Sequence, residues 1–192
     1  MRLGVAHHLG WAVAVTASSS HEVADRRRIE LIEPGLPAAP VHHEGGPYAL
    51  HRRAAPLDDD ELESLVRSVR AAAVRAAGRS LDELASAVGE PISSISVAEW
   101  PADFPDEVAV QRRVPYESRA DSVMYRQVLD EVARARGWAV QCYDAKTVEA
   151  EAEQILGARA HDVLHGPRRS LGPPWSKDHR VALAATVVAA TA

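Results

Sequence analysis

The stretch ISSISVAEW, residues Ile92 to Trp100, follows Gly89 and Pro91 and runs into Pro101, and its apolar positions predict a strand over Ile92 to Ala98. What comes next fixes the class. Beyond a proline-punctuated loop from Pro101 to Pro115, Met124, Val128, Val132 and Ala135 fall on one stripe of a helix running from Glu117 to Arg136, and Gly137 ends it. A strand over Trp138 to Tyr143 follows, then a helix capped by Thr147 that runs to Leu156, then a last helix capped by Ser176 that is apolar nearly all round. Strands alternating with helices in this order call for right-handed crossovers and parallel pairing.

Toward the N-terminus the pattern changes. Leu3 to Thr16 is apolar, broken only by His7, His8 and Gly10, and is expected to form one buried strand. Val23 to Ile32 is a second strand, and Arg26, Arg27 and Arg28 suit it to a sheet edge. Pro34 to Pro47 is a loop, and a short strand is expected around Tyr48 to Arg52. Asp58 caps a helix that Gly78 is expected to end, and Ser80 with Glu83 opens a second, short helix that closes at Gly89. The sum is an α/β chain: a mixed sheet with helices on both faces, expected as a single domain over residues 1–192.

Composition narrows the function classes. The 46% hydrophobic and 26% charged residues are ordinary globular usage and exclude a largely disordered chain. A net charge of -5 argues against a uniformly basic nucleic-acid binder but leaves room for a local basic patch. With one cysteine, Cys142, no internal disulfide can form, and the strand position suggests a small buried side chain. No segment reads as a leader or a membrane span, so a cytoplasmic location is expected. Only two of the 22 basic residues are lysines and asparagine is missing, a usage typical of a high-GC bacterial genome. Walker A, GxGxxG, nucleophile-elbow and CxxC patterns are all lacking.

Several residues stand out chemically. Glu117 and Asp121 lie on the apolar stripe of their helix, where a carboxylate needs a partner; arginines, or the helix N-terminus for Glu117, are the structural candidates. Glu99 sits just beyond the strand of Ile92 to Ala98, where ligands gather at the carboxyl ends of parallel strands. The segment LGPPWSKDHR, Leu171 to Arg180, crowds Trp175, Lys177, Asp178, His179 and Arg180 around a helix start, and capping accounts for only part of it. His161 and His165 have helical i, i+4 spacing but no third ligand nearby. His7 and His8 are adjacent in a strand and must point to opposite faces.

The order of elements, with Glu99 at a strand end and Asp178 on the final helix, resembles the ribonuclease H-like fold and, within it, the Holliday-junction resolvases of the RuvC type. The GPPW-K-D pattern also resembles a group of small bacterial proteins. The resemblance to the resolvases implies a site in which clustered carboxylates hold two divalent metals that activate water against a phosphodiester. On that pattern Glu99 and Asp178 would be metal ligands for Mg²⁺ or Mn²⁺, with Asp121 beside them and His179 and Lys177 assisting proton transfer or phosphate contact. The family's first-strand Asp has no counterpart, because Ala6 or His7 stands in its place, and a later acidic position of the last helix falls near Val181. Three readings follow: a metal-dependent nuclease or other phosphoryl-handling enzyme; a metal-free domain that binds nucleic acid or protein through Arg112, Arg113, Lys177 and Arg180; and a structural domain in which these residues serve the fold. Homo-oligomerisation is left open.

Overall fold

A computed structural model describes residues 1–47 and 55–190 of the chain, so the strand expected around Tyr48 to Arg52 lies outside the described residues. Five strands, β1 (Arg2–His7), β2 (Trp11–Ala17), β3 (Val23–Glu30), β4 (Ser94–Ala98) and β5 (Ala139–Tyr143), form one sheet in the order β3-β2-β1-β4-β5. β2 pairs antiparallel with β1 and with β3, whereas β4 runs parallel to β1 and to β5. The mixed sheet expected from the order of elements is therefore present, with β3 and β5 at its edges.

The front of the sheet corrects one expectation. Leu3 to Thr16 is not one strand but two, folded back at His8–Leu9–Gly10 so that Leu3 lies opposite Thr16 and His7 opposite Ala12. The backbone N–H of His8 donates to the Trp11 carbonyl at 2.8 Å, and Gly10 takes φ +81°, a conformation that a side chain at that position would oppose. Both strands are covered on both faces, so apolar residues run through them without alternation and hide the turn.

Helices α1 (Asp59–Val88) and α3 (Glu117–Arg134) cover one face. Leu3, Val5, Ala12 and Ala14 of the hairpin pack there with Val69, Leu81, Tyr125 and Val128. The short α2 (Val108–Gln111) precedes α3 and packs against α1. On the opposite face α4 (Val148–Leu156) and α7 (Lys177–Val188), joined through α5 (Ala160–His165) and α6 (Pro167–Leu171), bury Ala6, Val13, Val15, Ala98 and Tyr143. The approach of α7 to β1 is close, because a Cβ on Gly4 would meet the Ala182 carbonyl oxygen at 1.8 Å.

α1 differs from the pair of helices expected over this stretch. Asp58 caps it, accepting from the Glu61 N–H at 2.8 Å while Glu61 reaches back to the Asp58 N–H, but Gly78 lies inside the helix rather than at its end. Arg136 straps that point, donating to the Gly78 carbonyl at 2.8 Å and to Asp82 at 2.6 Å. Ser80, free of any capping duty, donates to the Glu30 carbonyl at 2.8 Å. The helix ends instead at Gly89, whose φ of +70° supplies the left-handed cap.

The crowded segment before α7 also has a structural account. The Arg26 guanidinium of β3 donates to the carbonyls of Leu171 at 2.7 Å and Gly172 at 2.8 Å and also to that of Pro174, while the Trp175 indole N–H donates to the Leu164 carbonyl at 2.8 Å. Arg26 thus acts as a collar on the GPPW turn. Cys142 is exposed rather than buried, because β5 is an edge strand. Among the described residues no helix is long and apolar enough to cross a membrane.

Candidate functional site

The three parallel strands β1, β4 and β5 end side by side at His7, Ala98 and Tyr143, and the polar groups just beyond them form the site. His7, the last residue of β1, and His8, the first of the turn, point to opposite faces of the sheet. His7 faces α3: its Nε2 lies 2.9 Å from Ser122 Oγ and accepts from Arg126 Nε at 3.1 Å. Arg126 also donates through Nη2 to Ser122 Oγ at 3.2 Å and through Nη1 to the backbone carbonyl of Glu99. One guanidinium therefore ties the end of β1 to the end of β4. Burial, reinforced by the Arg126 charge, pushes the His7 pKa down to about 3, so the imidazole is neutral and Nε2 serves as an acceptor.

His8 faces the other way, toward α7. Its Nε2 is 3.1 Å from Asp178 Oδ2, and its ring stacks on Trp11 with centroids 4.1 Å apart. The Arg28 guanidinium lies over the same indole at 4.2 Å. Beside His7 a cleft of about 550 Å³ opens between α3, the end of β4 and the turn after β5, lined by Glu99, Arg119, Ser122, Arg126, Asp144 and Lys146. Glu99, Arg119 and Lys146 are exposed along it.

Glu99 and Asp178 are accordingly both near the carboxyl ends of the strands but on different sides of β1, one in the cleft and one paired with His8. Asp121 is elsewhere. Its two carboxylate oxygens accept from the backbone N–H groups of Val41 at 3.0 Å and His42 at 2.9 Å, which fastens a π-helical turn, Val41–Gly45, to the start of α3. Glu117, 2% exposed, pairs with His42 Nδ1 in the same turn. The partners are thus backbone amides and a histidine, not the arginines expected. Burial drives the Asp121 pKa up to about 6, against the pull of the two amides.

The remaining expected ligands mostly serve the fold. His179 Nδ1 sits 2.8 Å from Ser176 Oγ and accepts from the Ser176 N–H at 3.2 Å, closing a capping box at the start of α7; burial lowers its pKa. Arg112 donates to Asp59 at 2.5 Å, to the Leu57 carbonyl at 2.6 Å and to the Gly45 carbonyl at 3.1 Å. Arg180 pairs with Glu149 at 3.1 Å. Arg113 and Lys177 are exposed. Sequence reasoning missed Ser122, Arg126, Arg119 and Lys146 as site residues. The i, i+4 spacing of Ser122 and Arg126 on the polar side of α3 was the available signal.

These residues do not fit a pair of hard divalent cations, which want clustered oxygen ligands. The end of β1 offers imidazoles, a guanidinium stands against His7, and among the described residues no group of three or more His, Cys, Asp or Glu side chains could hold a metal ion.

No protein-family model matches the chain, and no curated protein matches it. A solved structure does: T. thermophilus RuvC in complex with a Holliday junction substrate has a TM-score of 0.52 to this chain, over 97% of this chain and 89% of that one. The fold is ribonuclease H-like. At 13% identity the likeness extends to architecture alone.

Proposed function

We propose that the protein is a non-cutting nucleic-acid-binding domain of the ribonuclease H-like fold, which takes the phosphate backbone in the cleft beyond β1, β4 and β5. The observation that carries this reading is the convergence of Arg119, Arg126 and Lys146 on one cleft, where they outnumber the carboxylates Glu99 and Asp144 in a chain that is acidic as a whole. Cations gathered against the average charge mark a surface for an anionic partner. The similar RuvC structure holds a Holliday junction, which makes branched DNA the first ligand to try. Among the described residues no carboxylate cluster fits a metal ion, which supports binding over cleavage.

Fluorescence anisotropy with labelled single-stranded, duplex and four-way-junction DNA tests the reading. Binding should weaken linearly in log–log form as salt rises, and Arg119→Ala or Lys146→Ala should each lower that slope by roughly one. No strand cleavage should appear with Mg²⁺ or Mn²⁺. Failure to bind any of the three at low salt, or metal-dependent cutting, would overturn it.

A further inference from the structure

The charge at the centre of the cleft is held in an unusual way. Arg126 donates hydrogen bonds to three neutral acceptors: the His7 imidazole, the Ser122 hydroxyl and the Glu99 backbone carbonyl. A carboxylate in any of these places would orient the guanidinium equally well but would cancel its charge toward a ligand. Neutral acceptors fix the geometry without an ion pair, and the Glu99 carboxylate, which acts on the guanidinium through space, offsets its charge only in part. The low pKa of His7 is consistent with that arrangement, since an imidazolium facing Arg126 would repel it. Three N–H groups of the guanidinium are engaged by these contacts, one on Nε and one on each Nη, so each Nη keeps a second N–H. Each of these N–H groups is left to donate to a phosphate oxygen.

From these relationships we infer that Arg126 is the built-in cation of the cleft, taking the part a divalent metal plays at such strand ends, so that a phosphodiester of nucleic acid is bound directly and without Mg²⁺ or Mn²⁺. The inference deepens the nucleic-acid reading and rests on it for the identity of the ligand. Its other half, that Arg126 and His7 keep a metal out, is independent of any ligand. A divalent ion beside the guanidinium would meet like-charge repulsion, and His7 offers it one nitrogen already engaged by two donors. Lys146 and Arg119 extend the positive charge along the cleft. The Asp144 carboxylate is partly occupied, accepting from the Lys146 N–H at 2.8 Å.

Two measurements on the full chain test the two halves separately. In the first, the electron paramagnetic resonance signal of free Mn²⁺ is followed on adding protein. The wild type should leave it undiminished, and the double variant His7→Asp/Arg126→Ala, which puts a carboxylate at the end of β1 and removes the guanidinium, should reduce it stoichiometrically. Mn²⁺ uptake by the wild type, or none by the folded double variant, sinks the claim that these residues replace the metal. In the second, DNA binding is compared in EDTA and in Mg²⁺, with inorganic pyrophosphate as a competing probe. Affinity should be no weaker in EDTA, and Arg126→Ala should lose at least about tenfold, the weight of one charge-assisted contact. Arg126→Lys should recover part of that loss, and a thermal melt establishes that each variant is folded. Binding that requires Mg²⁺, or that is indifferent to Arg126→Ala, overturns the proposal. If neither DNA nor pyrophosphate binds while the Mn²⁺ results come out as expected, the nucleic-acid reading fails and the exclusion of metal by Arg126 stands.

Discussion

Gly4 of β1 and Ala182 of α7 touch backbone to backbone: a Cβ on residue 4 would stand 1.8 Å from the Ala182 carbonyl oxygen and 2.7 Å from its carbon. Neither atom belongs to a flexible side chain, so relief requires α7 to move off the sheet. Gly4→Ala should therefore destabilise the protein by on the order of 3 kcal/mol, the upper range for overpacking a core. Urea denaturation measures this, and a loss below about 0.5 kcal/mol would mean that α7 does not sit on β1 as described. Because α7 carries Asp178, the same variant should also loosen the His8–Asp178 pair.

A second expectation concerns pH and the turn held by α3. Asp121 is 3% exposed, and its pKa is raised from 3.8 to about 6. The folded state thus binds a proton at Asp121 more tightly than the unfolded chain does. Its contribution to stability is fully present below about pH 4 and is lost as pH rises through about 6, by as much as about 3 kcal/mol. Asp121→Asn should remove that downward component from the pH–stability curve. It should also cost about 1–3 kcal/mol, because an amide can offer only one oxygen to the two N–H groups of Val41 and His42. Denaturant melts between pH 4 and 7 on both proteins test this, and parallel curves would rule it out.

How much of this was legible beforehand depends on the range of the interaction. The parallel half of the sheet was, because ISSISVAEW and the 3.6-residue stripe through Met124 and Val132 are local signals. The arginine triplet of β3 likewise announced an edge strand. The hairpin within Leu3 to Thr16 was not legible, since burial on both faces erases the alternation that would expose the turn at Gly10. The partners of Asp121 were out of reach for another reason: backbone amides some 80 residues away in sequence carry no residue-type signature. Arg126 sat on the side of α3 opposite the apolar stripe, which a periodicity argument assigns to solvent. Only the placement of α3 against the end of β1 turns that side into the wall of a cleft.

Gly78 separates the local signal from the tertiary one most cleanly. As a helix terminator it would take positive φ, and alanine there would be strained. Inside α1 it takes an ordinary helical conformation, and the nearest atom to an added Cβ is Arg136 Nη2 at 3.7 Å, a normal contact. The strap from Arg136 to the Gly78 carbonyl uses only backbone on the glycine side and survives the substitution. Gly78→Ala should therefore stabilise the protein by about 0.5–1 kcal/mol through the lower entropy of the unfolded chain. An increase in the urea midpoint at unchanged slope is the expected result. A decrease of similar size would return the chain to two helices broken at Gly78, and with that the packing of Leu81 and Leu84 into the core under β1 would have to be redrawn.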